Sequence, residues 1–226
     1  MMKQVILLVL LGILASAATP EGYDFKLRGD IINENTGKVM LYSPEDTLQA
    51  LLSTDMKDGQ FVLSGRLEEP GLYLLEITGQ KLPIVLDGSD MTLYADRLGL
   101  STKLLKGSPA LKTRLALEKI LREKYEQRLN GVVEKYYELT ENGEKQSPEA
   151  EAYVANGFKE AGIYRRELIF EFIRQHPDDL YLPVFIREDM GKSYDYGKKA
   201  FDLMSPRLQA SQPGRLLKKN LDNFPK

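Results

Sequence analysis

The chain has 226 residues, of which 42% are hydrophobic and 28% are charged, a balance typical of globular proteins rather than of collagen-like or disordered chains. Its formal net charge of -2 offers no broad basic surface for a phosphate backbone, so no nucleic-acid partner is expected. The chain has no cysteine and one histidine. Within it, this excludes disulfides, thiolate nucleophiles, Cys-ligated zinc and any site that needs two imidazoles.

The N-terminal residues have the pattern of a secretory signal peptide. Lys3 supplies a positive start, residues 5–14 form an apolar run, and Ala15-Ser16-Ala17 is a small-x-small cleavage pattern. The apolar run is about ten residues long, half of what a spanning helix needs; an uncleaved anchor is the alternative. We predict a signal peptide over residues 1–17, an extracytoplasmic, for example periplasmic, location, and no stable membrane anchor after cleavage.

Residues 18–107 are predicted to form an antiparallel β domain. Short apolar runs, some alternating with polar residues, are divided by glycine-containing turns, which is typical of strands. A β-sandwich or a partly open barrel suits such a pattern. Pro83 has no N–H to give to a ladder, which indicates an edge strand or a bulge. The predicted strands lie at residues 25–31, 39–42, 61–63, 72–78, 82–86 and 91–95.

Residues 108–226 are predicted to be α-helical, which makes the whole chain α+β. Ser108-Pro109 and Ser147-Pro148 are each an N-cap followed by proline at the first helical position, and Asn142-Gly143 ends the first helix. The two helices are predicted to form an antiparallel hairpin, with Phe158 on the inner face of the second. Shorter helices are expected at residues 180–188, 194–204 and 213–221.

The few candidates for chemistry each have a simpler structural interpretation. His176 precedes Pro177 at a helix C-terminus, where an imidazolium favours the helix dipole. Asp87-Gly88-Ser89-Asp90 offers oxygen ligands but lacks the further carboxylates of a calcium loop, so a turn is favoured. The paired acids are interpreted as solvated turns, because adjacent carboxylates usually point apart: Glu68-Glu69, Asp178-Asp179 and Glu188-Asp189.

The tyrosines among the helices suit either packing or a sugar- or peptide-binding groove, and packing is favoured. They are Tyr136, Tyr137, Tyr181, Tyr194 and Tyr196. None of the phosphate-loop, dinucleotide, zinc-protease or nucleophile-elbow motifs is present in the sequence. We therefore predict no catalytic, cofactor-binding or metal-binding residue, and a protein that is not an enzyme.

Several short motifs, in their order along the chain, resemble one family. They are residues 25–29, 58–65, 70–73 and 106–108, with a Ser-x-x-Gly-basic helix start at 211–215. The arrangement is similar to the N-terminal domain of unknown function, with its helical insert, that precedes the thioredoxin-like domain of extracytoplasmic TlpA/ResA-type thiol-disulfide interchange proteins. The residues that carry the resemblance are Gly29, Asp58, Gly59, Phe61, Gly65, Pro70, Tyr73, Gly107, Ser108, Ser211 and Gly214.

The resemblance implies an accessory role in the cell envelope, with a protein partner there, for which a thioredoxin-like protein is one candidate. In the family, a domain with a Cys-x-x-Cys dithiol does the redox work, and this chain has no cysteine, so no catalytic residue is transferred. The sequence therefore favours a secreted, non-catalytic binding or docking module. The alternatives are the N-terminal portion of a thiol-disulfide oxidoreductase whose dithiol domain is absent from this chain, and an unrecognised hydrolase or lectin.

Overall fold

The computed structural model describes residues 22–101, 105–143, 145, 147–191 and 193–225. The predicted signal peptide, with Ala15 and Ala17 at its cleavage site, lies outside the described residues.

The first half of the described chain is one curled, eight-stranded sheet, a half-barrel with strand order β6-β5-β2-β3-β4-β1-β7-β8. All neighbouring pairs are antiparallel except β1 and β7, which are parallel. The α+β class and the partly open barrel are confirmed, with this one parallel pair as an addition. The strands are β1 (Tyr23–Ile32), β2 (Thr36–Tyr42), β3 (Ala50–Lys57), β4 (Gln60–Leu67), β5 (Gly71–Ile77), β6 (Gln80–Leu86), β7 (Asp90–Asp96) and β8 (Leu105–Lys106).

The sheet has a weak joint between β3 and β4. Within the described residues these strands are paired only at Lys57 and Gln60, beside the turn that connects them. On its other side β3 pairs with β2 almost throughout, and β4 pairs likewise with β1. The sheet therefore consists of two four-stranded parts that meet at one residue pair and enclose a shared apolar core, in which Leu27, Leu41 and Leu75 are fully buried.

Two tight turns follow directly from the sequence. Asp58 and Gly59 both have positive φ, as do Thr78 and Gly79, which is the geometry that two-residue hairpin turns need. Gly59 is held on both sides, because its carbonyl accepts from the Ile31 N–H at 2.8 Å and its own N–H donates to the Asn35 carbonyl at 3.1 Å. The turn thereby fixes the register of β4 on β1.

Pro83 lies on an edge strand, as predicted, because β6 is at the end of the strand order. Its partner on β5 is Leu74, two positions from the Leu72–Val85 pair. The backbone N–H and C=O of Leu72 both bond to the Gln212 side chain rather than to β6. Since bonded and non-bonded pairs alternate, the missing N–H of Pro83 also points away from the ladder, where proline is tolerated.

The second half of the described chain is helical. Helix α1 runs on through a π-helical segment, Leu121–Glu126, into α2, so the long helix predicted from residue 109 contains a wider turn. A short helix at residues 206–210 was not predicted. The helices are α1 (Pro109–Ile120), α2 (Gln127–Leu139), α3 (Pro148–Gln175), α4 (Tyr181–Asp189), α5 (Tyr194–Asp202), α6 (Pro206–Ala210) and α7 (Gln212–Asp222).

Helix α2 and residues 148–163 of α3 form an antiparallel hairpin that we call the arm. Helix α2 packs on α3 and on the π-helical segment, and over 13 residues it extends about 20 Å. Among the described residues of these helices, Val132, Ala150 and Ala161 are buried. Phe158, predicted on the inner face, is 47% exposed, which corrects that expectation: α3 has a single facing helix here, too narrow to cover the whole apolar side.

The C-terminal half of α3 belongs to a second apolar core, which is formed by the helices. Ile169, Phe172 and Ile173 pack with Leu117 of α1 and with residues of α4 to α7. This helical core docks on the outer face of the sheet through a small apolar cluster, in which Leu72 meets Val184 of α4 and Leu216 of α7.

Candidate functional site

The helices are fastened to the sheet by the side chain of Gln212, at the start of α7. Its Oε1 accepts from the Leu72 N–H at 2.8 Å, and its Nε2 donates to the Leu72 carbonyl at 2.7 Å. Leu72 lies two residues beyond the last pair of the β2–β5 ladder, Tyr42 with Leu74, so the carboxamide replaces the strand partner that Leu72 lacks. Gly71 leaves the room for it, since a Cβ there would lie 2.3 Å from Oε1.

We call the two hydrogen bonds between Gln212 and Leu72 the Gln212 clamp, and two ion pairs lie beside it. Arg215 forms a bidentate pair with Glu69, and Lys219 lies 3.4 Å from Glu45. Both pairs are largely exposed, so each contributes at most about 1 kcal/mol. They flank an open cavity of about 450 Å³, which we call the mouth cavity. Its lining is Ser43, Glu45, Leu51, Leu52, Arg66, Leu67, Glu68, Glu69, Tyr73, Gln212 and Arg215.

Five of the eleven residues that carry the family resemblance lie in or beside this cavity, although they are far apart in sequence. Tyr73 lines it and donates its hydroxyl to the Glu69 carbonyl at 2.7 Å, next to Pro70 at the start of β5. Ser211 caps α7 by accepting from the Gly214 N–H at 3.3 Å. A Cβ at Gly214 would lie 2.1 Å from the Leu208 carbonyl, so glycine permits the tight α6–α7 junction.

Gly65 is the fifth of these residues, and its role is steric. A Cβ at Gly65 would lie 2.7 Å from Cδ1 of Leu52. Leu52 reaches across from β3 to close the gap beneath the weak joint. The absence of a side chain at Gly65 therefore lets Leu52 join β3 to β4 by packing, where no backbone ladder joins them.

The remaining motif residues act in two other places. On β1, Gly29 is covered by the ring of Phe61, its direct partner on β4; Asp58 and Gly59 form the turn already described. At the other end of the sheet, Gly107 has φ +98° and lies against the Asp90 carbonyl. Ser108 next to it caps α1. These residues hold the fold and do not converge on a reactive group.

Asp87 shows what the Asp-Gly-Ser-Asp segment does. Its carboxylate accepts from the Ser108 hydroxyl at 2.6 Å, from the Ala110 N–H at 3.2 Å and from the N–H and hydroxyl of Ser89. An acidic side chain at a helix N-terminus is favourable because of the helix dipole. The segment is thus a turn that ties β6 to the first turn of α1, in agreement with the interpretation preferred from sequence.

The acidic pairs separate, as predicted for adjacent carboxylates. Asp178 bonds Ser205 and Arg207, and these hydrogen bonds lower its pKa. Burial raises the pKa of Asp179, which accepts from Thr113 and from the Tyr181 N–H. In the other pairs, Glu69 binds Arg215 and Asp189 binds Arg165, while Glu68 and Glu188 are exposed. His176 caps the C-terminus of α3 and stacks on Phe172.

One polar cluster was not singled out from the sequence. Arg165 of α3 makes a bidentate pair with Asp189 of α4 at 2.8 and 2.5 Å, and the Tyr196 hydroxyl donates to the same carboxylate at 2.7 Å. The guanidinium also lies 5.7 Å from the Tyr125 ring in the π-helical segment. Burial raises the pKa of the Tyr196 hydroxyl, and the hydrogen bond to Asp189 raises that of Arg165. The cluster binds three helices together at the base of the arm; its members are too far apart in sequence to form a motif.

The tyrosines divide between packing and exposure. Tyr181 and Tyr196 are buried, and burial raises the pKa of Tyr181 to about 12. Tyr137 and Tyr194 are exposed, and the exposed apolar side chains of the arm are Val133, Tyr137, Tyr153, Phe158 and Ile163. A cavity of about 420 Å³ opens between the two helices of the arm, where Gly131 and Gly157 carry no side chain. The arm therefore exposes five large apolar side chains, while only Val132, Ala150 and Ala161 of its described residues are buried.

Comparison with known proteins identifies one region. Residues 25–111 match the family model described as domain of unknown function DUF4369, which covers the half-barrel and the first residues of α1. No curated protein and no solved structure matches the chain. In the described part of the chain, no helix is both long and apolar enough to cross a membrane, and no cluster of three or more histidine or acidic side chains is arranged to hold a metal ion.

Proposed function

We propose that this protein is a non-catalytic docking module of the extracytoplasmic space, which binds a protein partner through its arm. Five large apolar side chains are exposed along the two helices of the arm. Val133 and Tyr137 are one turn apart and share a face of α2, while Tyr153, Phe158 and Ile163 are five residues apart and point to different sides of α3. Tyrosine and phenylalanine are enriched where proteins meet. The exposure of these side chains on both helices is the observation that supports the proposal best.

The half-barrel serves in this proposal as the rigid base. The Gln212 clamp and the apolar contact of Leu72 with Val184 and Leu216 fix the helices on the sheet. A partner that binds the arm is thereby held at a defined distance from the half-barrel. Preorganisation of this kind reduces the entropy lost on binding.

The family resemblance supports a thioredoxin-like partner in the cell envelope. In the resembling proteins, a domain like the half-barrel and a helical insert accompany a dithiol domain. A docking role would place this cysteine-free chain beside such a domain on another polypeptide. The match to a domain of unknown function is compatible with this partner and names none.

An affinity capture with matched variants tests the proposal. The mature chain is immobilised and exposed to a periplasmic extract of the source organism, next to a triple variant Val133→Ser, Tyr137→Ser, Phe158→Ser. The control carries Leu48→Ser and Leu98→Ser, which replace almost fully exposed leucines outside the arm. We expect the wild type and the control to retain one partner and the arm variant to lose it.

Equal retention by all three proteins would overturn the role of the arm. Circular dichroism must show that the triple variant is folded, which the exposure of the three side chains leads us to expect. The extracytoplasmic location is checked separately by intact mass. Secreted material that begins at Ala18 or Thr19 agrees with it, and secreted material that retains Met1 contradicts cleavage.

A further inference from the structure

The weak joint between β3 and β4 leaves two strand edges facing each other without a ladder. We call the gap between residues 51–55 of β3 and residues 62–66 of β4 the seam. The seam begins at the Asp58-Gly59 turn, where Lys57 pairs with Gln60. Among the described residues, no further backbone pair joins the two strands. In a regular hairpin the ladder would continue for five or six residues on each side.

The register shows which backbone groups point into the seam from β4. The Ile31 N–H donates to the Gly59 carbonyl, so that pair is of the hydrogen-bonded type. Bonded pairs alternate along an antiparallel ladder, and every second residue of β4 from Gly59 onward therefore bonds to β1. The intervening residues direct their N–H and C=O toward β3: Val62, Ser64 and Arg66.

The same argument applies to β3. Lys57 bonds Gln60 across the turn, so its backbone groups face β4. Residues at even spacing from Lys57 face the same way, while those between them bond to β2. The groups that enter the seam from this side belong to Leu51, Ser53 and Asp55.

All six of these residues are exposed, and no backbone pair between β3 and β4 involves them. The neighbours that alternate with them include Leu52, whose side chain forms the floor of the seam against Gly65. Leu51 and Val62 flank the opening with exposed fractions of 47% and 48%. The seam thus combines free donors and acceptors with apolar side chains above a closed floor.

Open space lies at both ends of the seam. A cavity of about 420 Å³ includes Asp55 and Val62 near the turn. The mouth cavity includes Leu51 and Arg66 at the other end. The outer edge of β6, in contrast, carries Pro83 and lies against α1 and α4, whose residues line a small cavity of about 120 Å³ with it. Edges of natural sheets are normally blocked in such a way, and the seam edges contain no proline.

We propose that the seam is a β-augmentation site, which binds an extended segment of a partner polypeptide by hydrogen bonds to the free edges of β3 and β4. Backbone pairing supplies the affinity in this mode, and alternate side chains supply the specificity. The exposed Leu51 and Val62 favour β-branched apolar residues at alternate positions of the segment. Asp55 near the turn and Arg66 at the mouth favour opposite charges at its two ends. About five or six residues fill the seam at 3.3 Å per residue.

The first experiment measures amide exchange of the free protein and of its complex by NMR. The probe is the peptide acetyl-Lys-Val-Thr-Val-Thr-Glu-amide; the control is the same peptide N-methylated at its valines and threonines. In the free protein we expect the amides of Ser53 and Ser64 to exchange at least tenfold faster than those of Thr54 and Leu63, which are in ladders. The probe should protect the seam amides, and the N-methylated peptide should not.

The second experiment substitutes Ser64 in β4. Ser64→Pro removes an N–H that faces the seam and takes no part in the β1 ladder, whereas Ser64→Ala keeps that N–H. We expect the proline variant to bind the probe at least tenfold more weakly than the alanine variant, with both folded by circular dichroism. Equal binding by the two peptides, equal exchange at Ser64 and Leu63, or no binding of the probe at millimolar concentration would overturn the proposal. The triple arm variant should bind the probe like the wild type, so failure here is separate from failure of the arm.

Discussion

The half-barrel and the arm use similar proportions of apolar residues in opposite ways. In the half-barrel, alternate residues of each strand point into one core, and side chains such as Leu27 and Met91 are fully buried. In the arm, two helices face only each other, and Phe158 and Tyr137 are about half exposed. A sheet that curls encloses its apolar face, whereas a lone helical hairpin covers only a narrow stripe of each helix. Apolar pattern therefore predicts the core in the first region and leaves a surface in the second.

The largest contrast should come from truncating one core residue in each region. Leu27→Ala empties space in the half-barrel and should lower the free energy of unfolding by about 2 to 5 kcal/mol. Val132→Ala, at the most buried position of α2, should cost about 1 to 2 kcal/mol, because fewer atoms surround it. Urea unfolding measures both. Equal losses would mean that the arm is as tightly packed as the sheet, contrary to the comparison.

A second test uses glycines at the end of the half-barrel. Gly107→Ala combines positive φ with a Cβ 2.3 Å from the Asp90 carbonyl, and should cost about 2 to 4 kcal/mol. Gly79→Ala is the matched control, since its φ is also positive but nothing lies within 4 Å of the new Cβ; about 1 to 2 kcal/mol is expected there. If the two variants melt at the same temperature, the close approach of β7 to Gly107 is not rigid.

The parts of the fold that sequence predicted are those where local chemistry and burial agree. The turn at Asp58-Gly59, the caps at Ser108 and Ser147 and the edge position of Pro83 each follow from one residue's conformational limits. Strand β3 was missed, because Ala50, Leu52 and Thr54 on its inner side are only partly buried and Met56 is its one buried residue. That weak pattern has a physical cause: β3 borders the seam, where the core is thin.

The candidate binding surfaces could be predicted from the sequence less well than the fold. Tyr73, Ser211 and Gly214 were identified as motif residues, but the sequence gives no indication that they meet at one cavity, because sheet register and helix docking bring them together. The split between β3 and β4 leaves no signature either, since a two-residue turn with Asp-Gly normally predicts a fully paired hairpin. The exposure of Phe158 depends on the number of helices around α3, which is a tertiary property.

The contact between the helices and the half-barrel at Gln212 gives a third prediction. Gln212→Ala removes both hydrogen bonds to Leu72 and leaves a buried N–H and C=O without partners, which should cost about 1 to 3 kcal/mol. Gln175→Ala, at an exposed glutamine on α3, should change stability by less than about 0.5 kcal/mol. Since the apolar contact of Leu72 with Val184 and Leu216 remains, the Gln212 variant should still unfold in one transition by circular dichroism, at a lower urea concentration. A single transition at the wild-type midpoint would show that the clamp contributes nothing.

The base of the helical region offers a pH test with opposite signs at adjacent residues. Burial raises the pKa of Asp179 above its ordinary value of 3.8, so the stabilisation present below that pH is lost as the pH rises through the folded-state pKa. Hydrogen bonds lower the pKa of Asp178, so its stabilisation is present above 3.8 and is lost as the pH falls. Urea unfolding between about pH 2 and 6 measures both effects. As the pH rises, the free energy of unfolding of Asp179→Asn should increase relative to that of the wild type. That of Asp178→Asn should decrease relative to the wild type. Parallel profiles would contradict the separate environments.

The smallest expected effect concerns the arm alone. Gly131 lies inside α2, and a Cβ there would meet nothing within 4 Å, so Gly131→Ala should stabilise the protein by about 0.5 to 1 kcal/mol through helix propensity. Gly157→Ala on the facing helix gains the same propensity but places its Cβ 2.7 Å from Cγ1 of Val132, so the gain should vanish or reverse. If both variants are stabilised equally, the two helices can move apart at Gly157 and Val132. The arm is then less tightly packed than the contact between these two residues suggests. If both are destabilised, the groove between them is filled in solution, and its apolar rim is not the exposed surface on which the docking proposal depends.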